Sequence, residues 1–280
     1  MSVARTVREW IDVAAAELAG VVERPRREAE LLLMAHLGRD QLWLITHQED
    51  AVEDPRRLES WIARRAAEEP MEYITNRVSF YSQTFHIAPG ALIPRPETEL
   101  LIDRVLEAAD SEAALTIVEV GVGSGVVSIV LAQHLPNARI IAVDISEEAL
   151  AVARKNIDAF GLEERIELRL GNLLDPVTEP IDILVSNPPY IAEDAPLERN
   201  LDYEPDLALF GGVEGDEIIR ALLDALDERR IPVSAFEFGY DQKEKVEAYV
   251  AGRGYDALTF YKDLAGFDRG FVITYAKDQS

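Results

Sequence analysis

Between Thr6 and Leu18 the apolar residues Val7, Trp10, Ile11, Ala14 and Leu18 recur at three- and four-residue steps, the spacing of one face of an amphipathic helix. Pro25 opens a second helical stretch that runs through Leu37 and stops at Gly38. Asp54-Pro55 offers a cap and a first-turn proline for a further helix carrying Leu58, Trp61, Ile62 and Arg65. Residues 1–72 therefore predict a small helical bundle. It carries no catalytic constellation, so substrate recognition or docking is its expected role and simple packing the alternative. From Tyr73 to Ile93 the pattern changes to strand-like alternation at Val78, Phe80, Phe85 and Ile87, which predicts a β-hairpin linker over residues 73–95. It ends in Leu92-Ile93-Pro94-Arg95-Pro96-Glu97-Thr98-Glu99, after which Leu100 to Ala109 becomes helical.

Over residues 96–280 apolar strands and amphipathic helices alternate. The strands are Leu115–Val120, Arg139–Asp144, Arg165–Leu170, Ile181–Ser186 and Pro232–Phe238; helices start at Val126 and Glu147 and span Glu217–Leu226 and Gln242–Gly252. This is the pattern of a parallel sheet covered on both faces. The last two strands, Tyr255–Tyr261 and Gly270–Tyr275, are joined too closely to be parallel and must form an antiparallel hairpin. The expected class is α/β: a Rossmann-like methyltransferase sheet with an antiparallel C-terminal hairpin, after a helical domain and a hairpin linker.

Two clusters carry candidate chemistry. Gly121-Val122-Gly123-Ser124-Gly125 follows the first strand of the sheet and opens a helix, where glycines let the backbone turn sharply and approach a ligand. A dinucleotide fingerprint has its third glycine three positions after the second; here the steps are two, and Val126 stands where a small residue is needed. That spacing favours S-adenosyl-L-methionine over NAD. Asp144, nineteen residues after Gly125, ends the next strand, placed to accept from both ribose hydroxyls or to cap the following helix. Asn172 and Leu173 occupy the next strand tip, suited to the edge and face of an adenine or to a plain loop. The second cluster, Asn187-Pro188-Pro189-Tyr190, lies on the same edge. Proline has no N–H and a fixed φ, so carbonyls are presented rigidly beside the Asn187 side-chain oxygen. The set can grip a planar NH2 group by both hydrogens, with the Tyr190 ring against its flat face. A strand-ending turn is the alternative.

Composition narrows the partners. The 280 residues hold 52 acidic and 28 basic side chains, five of the latter lysine, for a net charge of −24. A protein gripping a nucleic-acid backbone broadly needs a basic face, so direct nucleic-acid binding is not expected. The acidic excess suggests a strongly hydrated surface as in salt-adapted proteins; the alternative is an acidic protein from an ordinary host. There are no cysteines, hence no disulfides or thiolate metal sites. The four histidines, His36, His47, His86 and His134, have no metal-ligand spacing, and no metal is expected. No apolar run reaches the roughly 18 residues of a membrane span, and residues 1–20 lack the apolar middle of a signal peptide. A cytoplasmic location is expected.

Over nearly its whole length the chain resembles the release-factor glutamine methyltransferases, the HemK/PrmC family. The resemblance rests on Tyr73-Ile74-Thr75, the Ile93-Pro94-Arg95-Pro96-Glu97-Thr98-Glu99 run, the glycine turn, Asn187-Pro188-Pro189-Tyr190, Tyr203-Glu204-Pro205 and Gly211-Gly212. It implies transfer of a methyl group from S-adenosyl-L-methionine (product S-adenosyl-L-homocysteine) to the side-chain amide nitrogen of the glutamine in the Gly-Gly-Gln motif of class I peptide chain release factors. It further implies that Arg95, Thr98 and Glu99 close over the methionyl end of the cofactor, a structural ion pair and helix cap being the alternative. Glu119 is expected to face the cofactor's ammonium group, and Tyr203 and Glu204 to shape the substrate groove. Phe80, Tyr81 and Phe85 either line the pocket or, as preferred, form hairpin core. Two departures from the family pattern stand out: Val122 replaces a small polar residue in the glycine turn, and the stretch before Pro232 lacks the usual Gly-Gly. The competing readings are a ribosomal-protein glutamine methyltransferase, an adenine-N6 methyltransferase on nucleic acid, which would use the same tetrad on a flipped base, and an inactive binding module.

Overall fold

Thr6 starts the first helix with a reciprocal capping box. Its hydroxyl accepts from the Glu9 N–H, and the Glu9 carboxylate accepts from the Thr6 N–H at 2.8 Å. The computed structural model describes residues 5–196 and 199–275, which fall into two units. One comprises the residues up to Arg77 with the 3-10 turn Arg199–Tyr203; the other comprises Val78 to residue 196 and Glu204 onward.

The first unit holds α1 (Val7–Glu17), α2 (Pro25–Leu37), α3 (Gln41–Thr46), α4 (Arg56–Ala66) and α5 (Met71–Thr75). Val7, Trp10, Ile11, Ala14 and Leu18 are all buried, against Leu32 and Leu33 of α2 and Leu58 and Ile62 of α4. At about 1.5–3 kcal/mol for each large side chain removed from water, this face holds the bundle together. Gly38 ends α2 in the left-handed conformation at φ 64°. Two local expectations fail. Asp54 does not cap α4: with φ 43° its carboxylate turns to Arg56, accepting from Nε at 2.6 Å, and Pro55 occupies the cap position. Tyr73–Thr75 is helical rather than extended, because Asn76 at φ 55° stops the turn only there.

The second unit begins with the hairpin β1 (Arg77–Phe80) and β2 (Gln83–His86), then α6 (Thr98–Ala108), β3 (Thr116–Val120), α7 (Val126–His134), β4 (Arg139–Asp144), α8 (Glu147–Phe160), β5 (Ile166–Leu170) and β6 (Ile183–Ser186). After β7 (Ile191–Ala192) come α9 (Asp206–Leu209), β8 (Phe210–Gly212), α10 (Glu217–Arg229), β9 (Val233–Glu237), α11 (Lys243–Val250), β10 (Ala257–Lys262) and β11 (Asp268–Thr274). Seven strands form one sheet in the order β10-β11-β9-β6-β3-β4-β5, parallel from β9 to β5 and antiparallel at β10 and β11. The chain enters at β3, builds outward through β4 and β5, and returns to place β6 on the other side of β3. Ligands bind outside the carboxyl ends of strands at such a reversal, and Val120 and Ser186 are register partners there.

The hairpin is a packed element: Phe80 and Phe85 are buried, and Phe85 meets Phe160 of α8 with ring centroids 4.9 Å apart. Tyr81 donates its hydroxyl to Asp103, and its N–H goes to Glu99 at 2.7 Å. α7 is buried over Val126–Ala132, a stretch apolar on every side apart from Ser128. Lacking a glycine before Pro232, α10 ends with Arg230 in the left-handed region at φ 52°, its guanidinium over the Tyr275 ring. Among the described residues no helix is long and apolar enough to cross a membrane.

Candidate active site

The carboxyl ends of β3, β4, β5 and β6 open into one cavity, lined among others by Glu119, Gly121, Val122, Gly123, Ser124, Asp144, Asn172, Leu173, Asn187, Pro188 and Pro189. The glycine turn has φ 77°, 53° and 82° at Gly121, Gly123 and Gly125. At Gly125 the requirement is steric as well, since a Cβ would stand 3.3 Å from the Ala153 methyl of α8. Val122 is buried, its N–H bound to the Val143 carbonyl at 3.0 Å.

Asp144 does not cap α8; that role falls to Ser146, whose hydroxyl accepts from the Ala149 N–H at 3.2 Å. Instead Asp144 ties two loops together, Oδ2 accepting from the Gly123 N–H and Oδ1 from the Ser146 N–H, each at 2.9 Å. Each oxygen keeps a second lone pair for a hydroxyl. Burial raises its pKa, opposed by those N–H bonds. Glu119 lies deeper: Oε2 accepts from the Ser128 N–H at 2.9 Å and from the Ser128 hydroxyl of α7. Burial pushes its carboxyl up to about 8 against these bonds, and the nearby Asp144 charge adds to the shift. Asn172 is exposed beside the cavity, and Leu173, with φ 46°, packs its side chain on the sheet core.

Asn187 donates from Nδ2 to the Thr98 hydroxyl at 3.0 Å, so Thr98, buried at the start of α6, lines the cavity and holds the tetrad. Ser186 donates to the Val120 carbonyl at 2.6 Å. The tetrad's far side is held by Gln242, whose Nε2 donates to the carbonyls of Tyr190 and Gly215 at 2.9 and 3.0 Å. β7 then pairs with β8, where a Cβ on Gly211 would stand 2.5 Å from the Pro189 carbonyl. Tyr190 is not a lining residue; its ring packs beside Gly239 and the sheet core, and burial together with the Glu237 charge raises its hydroxyl pKa.

Arg95 also lies outside the lining. It donates to Glu204 Oε1 at 2.5 Å, and Glu204 Oε2 accepts from the Ile93 N–H at 3.0 Å. This pair, with Glu204 buried and Arg95 partly exposed, pins the segment ahead of α6. Tyr203, in the helical unit, donates its hydroxyl to the Ala67 carbonyl at 2.6 Å.

Residues 9–75 match the PrmC N-terminal domain family and residues 96–200 the Methyltransferase small domain family. The release factor glutamine methyltransferase of Koribacter versatilis is 38% identical over 95% of this chain and 98% of its own. That of Moorella thermoacetica is also 38% identical, over 98% and 100%. The chain belongs to the release factor glutamine methyltransferase family. Solved structures share the fold: the hMettl16 catalytic domain in complex with MAT2A 3'UTR hairpin 6 aligns at TM-score 0.59 with 13% identity over 81% of this chain and 84% of that one. A ribosomal protein L11 methylase from Lactobacillus delbrueckii subsp. bulgaricus aligns at 0.51 with 24% identity over 68% and 84%.

In this member of the release factor glutamine methyltransferase family the cavity's chemistry fits S-adenosyl-L-methionine. A carboxylate with spare lone pairs stands at the β4 tip, an anion-forming group at the β3 end, apolar Val122 and Leu173 on the walls, and a glycine backbone between them. Sequence reading overlooked Ser128, Gln242 and Glu237. The third left a signal: a lone carboxylate inside the apolar run Ala235-Phe236-Glu237-Phe238, at the same sheet edge as Asn187.

Proposed function

We propose that the protein transfers a methyl group from S-adenosyl-L-methionine to the side-chain amide nitrogen of the glutamine in the Gly-Gly-Gln motif of class I peptide chain release factors. The observation that carries this reading is the Asn187-Pro188-Pro189 wall of the cavity, where Asn187 is held by Thr98 and two prolines leave carbonyls without competing donors. The cofactor supplies a methyl group activated on a positively charged sulfur. Asp144 is assigned the ribose hydroxyls, Glu119 the ammonium group, the glycine turn the methionyl part, and Asn172 and Leu173 the adenine. Thr98 acts by holding Asn187, while Arg95 and Glu204 shape the segment that closes the site.

An amide nitrogen is a poor nucleophile because its lone pair is delocalised, so alignment supplies most of the catalysis. Asn187 Oδ1 accepts one N–H of the substrate amide and the Pro188 carbonyl the other. Those bonds strengthen as the nitrogen gains positive charge, which stabilises the transition state more than the ground state. The product amide, protonated on nitrogen, loses its proton readily and needs no dedicated base. Tyr190 braces the tetrad from the core side. The reaction needs no metal, and a cysteine-free chain fits a reducing cytoplasm.

Methyl-labelled cofactor offered with a purified class I release factor, a ribosomal protein and duplex DNA tests the reading. Label on the release-factor glutamine is expected; label on the ribosomal protein or the DNA alone would overturn it. Residues 1–72 are assigned docking of the release factor, with 73–95 joining them to the methyltransferase domain of 96–280. Deleting 1–72 should then abolish methylation of the intact factor while sparing a short Gly-Gly-Gln peptide. Equal loss on both would assign those helices to folding alone.

A further inference from the structure

Glu237 ends β9, and the β6–β9 register pairs Ser186 with Phe236, so the next residue on each strand is Asn187 on one side and Glu237 on the other. The carboxylate is almost fully buried, and its Oε2 has no hydrogen-bond partner among the described residues. The neighbouring side chains of Thr98 and Asn187 favour its ionised form against burial.

We propose that Glu237 is a positioning residue that fixes which way the Asn187 amide faces, through Thr98 and by direct attraction of its NH2 group. This rests on the reading that Asn187 Oδ1 accepts from the substrate nitrogen. An ionised carboxylate only accepts, an amide NH2 only donates, and a hydroxyl has a single proton to give. With Asn187 Nδ2 donating to the Thr98 oxygen at 3.0 Å, the Thr98 proton is free for Glu237. The Asn187 oxygen is then left for the cavity. A flipped amide would set its NH2 against the substrate NH2, donor against donor.

The lock depends on charge. Burial pushes the Glu237 carboxyl up to about 7; the Glu97 charge ahead of α6 adds to this, and Arg269 of β11 opposes it. Tyr190 beyond β6 and Tyr261 of β10 also face it, the latter donating to the Phe236 carbonyl at 3.2 Å and itself near Arg104 of α6. Protonated Glu237 becomes a donor and no longer selects one amide orientation.

Methyl transfer by the full chain is measured between about pH 6 and pH 8, on whichever substrate the wild type labels, for wild type, Glu237→Gln, Thr98→Val and Thr98→Ser. Glu237→Gln and Thr98→Val should lower kcat by about tenfold to a hundredfold, the loss expected when a buried donor loses its acceptor. KM for the cofactor should stay within a few-fold, and Thr98→Ser should retain activity. The wild-type rate should rise with pH through about 7, and Glu237→Gln should lack that rise. A second readout needs no substrate: the Asn187 side-chain amide resonances, assigned with Asn187→Ala, should titrate with the same midpoint in wild type and stay fixed in Glu237→Gln. An unchanged pH profile in the variant, or titration persisting without the carboxylate, overturns the proposal. A wild type that ignores release factors while the amide still titrates overturns the substrate reading and leaves the positioning role standing.

Discussion

Glu119 places a carboxyl where water hardly reaches, at the end of an apolar strand. Its folded pKa of about 8 lies well above the ordinary carboxylate range, so ionising it opposes folding. The stability it contributes is complete at acid pH, below its unfolded pKa, and is lost as pH rises through about 8. An ammonium group bound beside it reverses the preference by favouring the carboxylate. Cofactor affinity should therefore increase from pH 6 toward about 8, with proton release on binding, which calorimetry in buffers of different ionisation enthalpy would register. Glu119→Gln keeps an acceptor for Ser128 but removes the charge. The ligand-free variant should be more heat-stable than wild type above pH 8, yet bind S-adenosyl-L-homocysteine about tenfold or more weakly, the equivalent of one charge-assisted hydrogen bond. Equal affinities would remove Glu119 from the ammonium site. Asn187→Ala separates binding from chemistry: transfer should fall about 10²–10³-fold, by analogy with loss of an oxyanion-hole donor, while S-adenosyl-L-homocysteine affinity stays within a few-fold.

At the scale of elements, the tetrad is held in place by a strand pair that residue patterns do not announce. β7 and β8 are two and three residues long, too short for periodicity to register. Their meeting depends on Gly211, where a Cβ would stand 2.4 Å from the Gly215 carbonyl and 2.5 Å from that of Pro189. Gly211→Ala should cost about 1–3 kcal/mol, the usual penalty for overpacking, and lower kcat by displacing the tetrad. Gly123→Ala, whose Cβ would meet nothing within 4 Å, should cost only the strain of its positive φ, about 1–2 kcal/mol. Thermal melts and initial rates on the two variants would compare them directly. The same contrast explains what was legible beforehand. α1, α2 and the start of α8 coincide with the sequence reading because each combines a helical period with a cap, a proline or a glycine at its end, and β4 because its apolar run is unbroken from Ile140 to Val143. The described residues 191–196 and 201–216 had no such signal, since their placement comes from close glycine contacts and from side-chain donors such as Gln242 supplied by distant segments. Arg95, Glu204 and Glu237 were obscure for a related reason: a charge on a loop or strand tip reveals its partner only once the chain has folded.

For the whole molecule the notable quantity is charge, and it is unevenly shared. Residues 1–77 carry 11 basic and 15 acidic side chains, whereas residues 78–280 carry 17 basic and 37 acidic. Self-repulsion therefore falls mainly on the part that contains the sheet. Salt shortens the screening length from about 10 Å at 0.1 M to about 3 Å at 1 M, which relieves repulsion between exposed like charges. All three tryptophans, Trp10, Trp43 and Trp61, lie in the first 77 residues, so tryptophan fluorescence reports only on the helical unit. Circular dichroism reports on both. If the acidic composition is an adaptation to salt, raising it to about 1 M should lift the melting temperature of the ellipticity change by at least about 2–4 °C, equivalent to roughly 1 kcal/mol for a domain of 150–250 residues. The fluorescence transition should move less. Identical shifts in both signals would mean that the units unfold as one and share the benefit. No shift in either would mean that the acidic surface is already relaxed at ordinary ionic strength, and salt adaptation would be abandoned as its explanation.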